Sequence, residues 1–523
     1  MARRFNVSGE CNPERHYMLP PLRRLPMVRK LIEDQAYFVL HAPRQSGKTT
    51  AVRTLASELT AEGRYTSVVL SQETGAADLG SVGAAELAIL DDWRPRINLL
   101  PTELHVPAWP DAPEGRRLGA ALNAWASTSS RPLVLFLDEI DALQGPVLVS
   151  ILRQLRSGFG SRPQAFPQSI GLVGMRDVRD YLMQAGGSGR TGSASPFNIK
   201  DESLTLRNFT RDEVAELYAQ HTADTGQTFE PAAVDRAFEL SGGHPWLVNA
   251  LARQMVEVLV PNRSRSLTLA DADDAAKLLI ERRDTHLDSL SERLLEPRVR
   301  VVIEPILQGD PPIIASRDDV EYAVDLGLIR RTRPGGVEIA NPIYGEIIPR
   351  ELASRPLLAA ATVAPTWLRA DGRLDPPKLL EAFVAFWRQH GEVLMKAQPY
   401  HEAAPHLVAM AFLQRVENGG GPSTTLGMSG LVPQYAIGTG RMDLCLRYGP
   451  DTLGIELKVW SRGKDPLVAG LKQIDGYLAG LPTDAKGWLV IFDRRPDQPP
   501  VEERTSASTE RTPSGREVVV VRA

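Results

Sequence analysis

The strongest constraint in this 523-residue chain is one stretch in which an apolar run, a glycine-bearing loop and a helix follow each other without a break. Residues 37–41 (YFVLH) read as a buried strand, and Ala42 to Thr49 (APRQSGKT) lead into a helix that begins at Lys48. Such a loop turns successive backbone N–H groups and a helix N-terminus toward an anion, while glycine lets the backbone come close and lysine adds a full charge. On this reading Ala42, Pro43, Arg44, Gln45, Ser46, Gly47 and Thr50 surround a run of phosphates. Lys48 neutralises the outer ones, and Thr49 offers its hydroxyl to Mg2+. The pattern G-x-x-x-x-G-K-[ST] is met except at its first position, where Ala42 replaces glycine.

The surrounding chain alternates in the manner of a parallel sheet covered by helices. SVVLSQ, PLVLFLDEID and SIGLVG read as further strands, with helices from Lys48 and near Leu118. PLVLFLDEID ends in Asp138 and Glu139. One carboxylate there can hold the Mg2+ shell, and the next can orient a water against the terminal phosphate of ATP. The expectation is therefore an α/β nucleotide-binding domain that hydrolyses ATP.

Composition sets the outer bounds. The chain is too long for one core, so several domains are expected. With 43% hydrophobic and 24% charged residues and no apolar run of about 18 residues, it reads as soluble, with no membrane partner. No apolar stretch follows the arginines of the first residues, so no secretion signal is read. Cys11 and Cys445 are its only cysteines, which argues against a disulfide framework and for a reducing cytoplasm. The net charge of −4 gives no overall pull on nucleic acid, so such binding would rest on local basic groups. Candidates are Arg293, Arg298 and Arg300, and Arg330, Arg331 and Arg333, which serve equally as solvated charges.

Breaks in the pattern divide the chain into an N-terminal segment (1–29), the P-loop core (30–204), a helical lid (205–286), a winged-helix-like part (287–352), an Ala/Pro-rich linker (353–377) and a mixed α/β domain (378–523). Gln184 to Pro196 read as a mobile loop or a turn out of the sheet. The wing is the pair of short strands around Pro334-Gly335-Gly336 in LIRRTRPGGVEIANP.

In the last domain, RMDLCLRY and LGIELKVW read as two alternating strands. A turn at Pro450 and Asp451 would pair Asp443 with Lys458 and Cys445 with Glu456, setting Asp443 and Glu456 on a diagonal of roughly 7 Å. Two carboxylates so placed can grip Mg2+ or Mn2+, with Lys458 beside the metal. Phosphodiester hydrolysis needs a cation on the phosphate, an activated water and a positive group near the transition state, and Asp443, Glu456 and Lys458 supply these. The same alternation also fits a salt-bridged solvent face. His401 and His406 do not share a helix face closely enough for zinc.

Two resemblances sharpen these readings. Arg176 in SIGLVGMRD, at a strand end near the terminal phosphate, and Gly243 with Pro245 in SGGHPWLVNALA resemble the sensor arginine and G-x-P motif of signal-transducing (STAND-like) and archaeal-type ATPases related to the AAA+ class. That resemblance implies that Pro245 packs near the adenine and that a winged helix reports nucleotide state. The order Asp443, twelve residues, then Glu456-Leu457-Lys458 resembles the PD-(D/E)XK nuclease superfamily, with Met442 where that family has proline. This second resemblance implies a restriction-endonuclease-like fold with nucleic acid, DNA favoured, as partner, and a site completed by Glu402 and by Gln473 with Tyr477. Together they imply an ATPase whose nucleotide state regulates a metal-dependent nuclease, in the manner of defence against foreign DNA. A signal-transducing ATPase whose nuclease-like part is inactive or binds a partner is the other reading, and a homo-oligomer or an unknown protein trigger fits either.

Overall fold

The computed structural model describes residues 3–523 except 79, 102–103, 105, 177–199, 283–292, 308–311, 313, 333–334, 353–365, 372, 398–403, 419–429, 438–439, 461–463 and 496–497. The loop expected at Gln184 to Pro196 and the candidate Glu402 lie outside the described residues, as does Arg333. The chain forms two compact units, residues 1–282 with 321–330 and residues 283–320 with 331–523. No described helix is long and apolar enough to cross a membrane.

Unit 1 opens with an N-terminal segment that ends in a single helical turn, Pro21–Arg24, followed by α1 (Val28–Glu33), β1 (Tyr37–His41), α2 (Lys48–Ala61), β2 (Thr66–Ser71), α3 (Val82–Ile97), α4 (Arg117–Thr128), β3 (Leu133–Asp138), α5 (Gly145–Gly158), β4 (Ser169–Gly174) and β5 (Lys200–Thr205). The five strands lie in the order β2-β3-β4-β1-β5. Every pair is parallel. β2, β3 and β4 are buried along their full length, as expected of a sheet covered on both faces. Alternation along β1 assigns the faces: Tyr37 and Val39 join a core with α3, α4 and α5, while Phe38 and Leu40 join one with α1 and α2.

A helical layer follows: α6 (Arg211–Thr225), α7 (Pro231–Ser241), α8 (Pro245–Arg253) and α9 (Leu269–Arg282). α6 begins with a capping box, Thr210 accepting from Glu213 N while Glu213 accepts from Thr210 N, and it stops at Gly226 in the left-handed conformation. Pro opens both α7 and α8, where a missing N–H costs nothing.

Unit 2 begins with α10 (Pro297–Leu307). The next helix, α11 (Arg317–Asp325), starts in unit 2 and has its last residues in unit 1. A two-stranded hairpin of β6 (Ile329–Arg331) and β7 (Val337–Ile339) precedes α12 (Pro342–Leu352), and its turn uses Gly335 at φ 114°. Then come α13 (Pro376–Ala397), α14 (Ala404–Asn418), β8 (Gly430–Ile437), β9 (Gly440–Tyr448), β10 (Asp451–Trp460), α15 (Leu467–Leu478), β11 (Lys486–Asp493), the short α16 (Val501–Arg504), β12 (Ser506–Arg511) and β13 (Glu517–Arg522). These strands form one mixed sheet in the order β12-β13-β11-β10-β9-β8. One face is covered by aromatic residues of α13, Phe383 against Trp488 and Trp387 against Phe492. The other face carries α15.

Of the stretch read as a linker, the described Trp367 is fully buried, its ring 5.7 Å from that of Phe412. One expectation is corrected here: the β9–β10 register differs by two residues. Asp451 pairs with Tyr448 and Ile455 with Leu444, so the turn is Gly449-Pro450 and the predicted pairs Asp443–Lys458 and Cys445–Glu456 do not form. The reason is local. A two-residue hairpin turn needs a positive φ at its first central position, which Gly449 supplies at 57° and a proline cannot.

Candidate functional site

The phosphate-binding loop joins the C-terminal end of β1 to α2. Gly47 caps α2 in the left-handed conformation at φ 90°, and Gln45 holds φ 57°, so the loop turns its backbone inward before the helix begins. Lys48 Nζ donates to the carbonyls of Ala42 (2.7 Å) and Pro43 (2.8 Å), which folds the loop around its own cation. Burial lowers the Lys48 pKa to about 8, against the pull of Asp141 and Asp138.

β3 lies two strands from β1, separated by β4, and its last residue reaches the same edge. Thr49 Oγ1 donates to Asp138 Oδ2 at 2.8 Å, so the hydroxyl and the carboxylate expected to hold Mg2+ meet directly. Burial raises the Asp138 pKa, opposed by that hydroxyl and by the Glu139 N–H. Glu139 itself sits at φ 58°, a left-handed conformation that costs a non-glycine residue about 1 kcal/mol. Its carboxylate accepts from Ser71 Oγ at the end of β2. These residues fit a triphosphate with Mg2+: a lysine, a hydroxyl, an adjoining carboxylate and a second carboxylate one residue on all converge at the C-terminal edge of one parallel sheet.

A cleft of about 460 Å3 opens there, lined by Gln45, Gly47, Lys48, Thr49, Thr50, Asp138 and Glu139 on one side and by Pro245, Trp246 and Asn249 of α8 on another. Pro245 thus lines the same cleft as the phosphate loop. Arg176 does not line the cleft. It is buried with its guanidinium 4.4 Å from the Tyr322 ring, one strand over from the loop. Pro43 also faces residues 321–330, since a Cβ on Gly327 would lie 2.7 Å from Pro43 Cγ. His41, ending β1, is 3.5 Å from Asp325. Thr50 Oγ1 accepts from Cys11 N, and the carbonyls of Arg44 and Ser46 bind His244 Nε2 and Arg24 Nη1.

That last group belongs to the N-terminal segment, to which the sequence reading gave no role. Asn6 to Cys11, Tyr17 to Leu19, Pro21 and Arg24 all line the cleft. The segment is tied to the lid by Trp246 Nε1 donating to Val7 O (2.8 Å), Gln220 Nε2 donating to Met18 O (3.0 Å) and the Arg3–Asp224 ion pair. Arg24 is only 7% exposed, and burial lowers its pKa to about 10. Its Nη1 donates to the Ser46 and Arg207 carbonyls, its guanidinium lies over the Phe209 ring, and no described carboxylate is within ion-pairing distance. A buried guanidinium beside the phosphate loop and lacking a carboxylate suits an anion in the cleft. One signal for it was in the sequence: Arg23 and Arg24 interrupt the otherwise apolar MLPPLRRLPMV.

In unit 2 the corrected register changes how the second site is built. The pairing ends at Ile455–Leu444; carried one residue further, the same register would set Glu456 of β10 opposite position 443 of β9. Glu456 is fully buried and Lys458 Nζ lies 2.7 Å from its Oε1. Across to β11, Glu456 pairs with Leu489 and Lys458 with Ile491, the residues against which α15 packs. Gln473 and Tyr477 sit on the flank of the buried α15 stripe Gly470, Ile474 and Leu478, and Gln473 Nε2 donates to Tyr477 Oη at 2.9 Å. The structure therefore brings Glu456, Lys458, Gln473 and Tyr477 to one side of the sheet. His406 lies on the other, its ring 6.4 Å from Phe492, and burial lowers its pKa to about 4.

Unit 1 has the fold of a P-loop ATPase domain: a five-stranded parallel sheet with the phosphate loop after β1 and the carboxylate pair after β3. Among solved structures, a Walker-type ATPase of Pyrococcus abyssi is similar at 13% identity, over 66% of this chain and 99% of that one, with a TM-score of 0.45. The RuvB Holliday junction branch migration motor of Thermotoga maritima is similar at 18% identity, over 62% and 92%, with a TM-score of 0.33. The ORC1 protein of Aeropyrum pernix in complex with DNA is similar at 14% identity, over 66% and 94%, with a TM-score of 0.35. No family model and no curated protein matches the sequence.

Proposed function

We propose that unit 1 binds and hydrolyses ATP with Mg2+ and that its nucleotide state regulates a metal-dependent phosphodiesterase in unit 2 that acts on nucleic acid, DNA above RNA. The observation that carries the first half is the direct meeting of Thr49 and Asp138 beside Lys48. Thr49 and Asp138 would hold Mg2+, which would supply charge neutralisation to the phosphates. Lys48 exchanges its two carbonyl contacts for phosphate oxygens, Arg24 offers its remaining donors from beside the loop, and Glu139, held by Ser71, turns a water toward the terminal phosphate.

What supports the second half is the β9–β10 register, which runs to Leu444–Ile455 and, continued by one residue, would set Asp443 opposite Glu456, with Lys458 two residues on and α15 on the face of Glu456. Lys458 Nζ, 2.7 Å from Glu456 Oε1, neutralises that carboxylate. A divalent cation at the two carboxylates would free that ammonium for the attacking water or the phosphodiester. The full burial of Glu456 and its existing partner equally favour a second reading, in which the ion pair is structural and unit 2 is a binding module.

Purified protein incubated with plasmid, linear and single-stranded DNA and RNA, in Mg2+ or Mn2+, with and without ATP, separates the two. Cleavage that is lost in Asp443→Ala and altered in Lys48→Ala is the expected result. ATP hydrolysis without cleavage of any substrate leaves the binding-module reading standing.

A further inference from the structure

The phosphate end of the cleft uses its polar groups among themselves, whereas the end built by α8 and the N-terminal segment does not. Asn249 lies one helical turn beyond Pro245 and lines the cleft beside Trp246. It is 8% exposed, and its Nδ2 donates to the Pro245 carbonyl at 2.8 Å. That bond fixes which way the amide faces, because a flipped Asn249 would set Oδ1 against the Pro245 oxygen. Oδ1 is consequently a buried acceptor that accepts no hydrogen bond from any described group. Leaving such an atom unpaired costs roughly 1–3 kcal/mol, which a ligand donor would recover. The hydroxyl of Tyr17, on the same cleft, is likewise buried without a partner among the described residues.

The wall around Asn249 offers aromatic and apolar surface. The Trp246 indole is pinned by its bond to Val7 O, Leu217 adds apolar surface, and the loop from Asn6 is held by Asn6 Nδ2 donating to Gly9 O at 3.1 Å. The cleft runs from this wall to Lys48, so a nucleotide with its phosphates on the loop would bring its base here.

We propose that Asn249 is the residue that reads the base: its Oδ1 accepts a hydrogen bond from the exocyclic amine of adenine and rejects guanine, whose oxygen at the same ring position would face it acceptor to acceptor. The proposal rests on the nucleotide-binding reading of unit 1. Asn249 lines the cleft while its Oδ1 is itself covered, so the base takes the place of the protein atoms that now shield it. Tyr17, which can donate or accept, completes the polar lining and carries no discrimination of its own.

Calorimetric titration of the full chain with ATP, GTP and purine riboside triphosphate, which has no exocyclic group, tests this on wild type and Asn249→Leu. Wild type should prefer ATP to GTP by at least about tenfold, the scale of one mispaired buried group. Asn249→Leu should lose about tenfold or more for ATP, close the gap to GTP, and bind purine riboside triphosphate as wild type does, which also shows that the variant is folded. Equal binding of ATP and GTP by wild type, or an undiminished preference in Asn249→Leu, overturns the proposal. Loss of all three ligands from Asn249→Leu assigns the residue to holding α8 and overturns it as well. Failure of wild type to bind any triphosphate while retaining its fold would instead overturn the nucleotide reading beneath it.

Discussion

Lys48 shows what a single residue owes to its surroundings. Its type and place were legible from APRQSGKT, but its depressed pKa was not, since burial is set by the strands and helices around the loop. A lysine whose folded pKa is about 8 against 10.5 binds fewer protons folded than unfolded between those values, so its contribution to stability improves as pH rises through that window. Nucleotide affinity should respond in the opposite direction, because phosphates favour the charged ammonium. ATP affinity measured by calorimetry should be level below about pH 8 and fall by up to about tenfold per pH unit above it, with proton uptake on binding in that range. A flat profile to about pH 9.5 would show that Lys48 stays charged in the free protein. Arg24 left only a faint trace, a charge in an apolar stretch, and Asn249 left none, for a different reason. Neither belongs to a spaced motif, and each matters through a partner far away in sequence, or through the lack of one.

At the scale of elements, the parallel sheet, the loop-to-helix junction and the carboxylate-bearing strand followed from apolar runs and turn residues, which are local signals. The β9–β10 pairing was read two residues out because both candidate turns contain Pro450, and the choice hinged on whether Gly449 or Pro450 took the first turn position. The packing of Trp367 was hidden by the Ala- and Pro-rich stretch before it. The turn after α11 offers a test at this scale. Gly327 holds φ 75°, and an added methyl would press on Pro43 of the phosphate loop. Gly327→Ala should therefore weaken ATP binding severalfold and slow turnover without any contact to nucleotide, a backbone penalty of about 1 kcal/mol falling on stability as well. Unchanged ATP binding and turnover in a steady-state assay would mean that the loop yields freely to this neighbour.

For the whole molecule, α11 is the element to follow. Arg298 of α10 lies 3.3 Å from Asp319 near its start, and Asp325 meets His41 at its end. Under the regulation proposed above, this helix, whose first residues belong to one unit and whose last belong to the other, is the element expected to respond to nucleotide. Hydrogen exchange should report it: ATP with Mg2+ should raise amide protection across residues 317–325 in wild type and leave it unchanged in Lys48→Ala. Equal protection with and without nucleotide in wild type would exclude α11 as the route.

The N-terminal segment that lines the cleft has a consequence for how the protein is made. Its contacts to the lid join residues far apart in sequence, such as Arg3 with Asp224 and Val7 with Trp246. During synthesis the sheet and phosphate loop emerge long before α8 does, and closing so large a loop is entropically slow. Until then the N-terminal segment has only half of its binding surface. A nascent chain can thus hold a complete phosphate loop and still lack a nucleotide site, and tight nucleotide binding becomes a sign that the lid has been translated and docked.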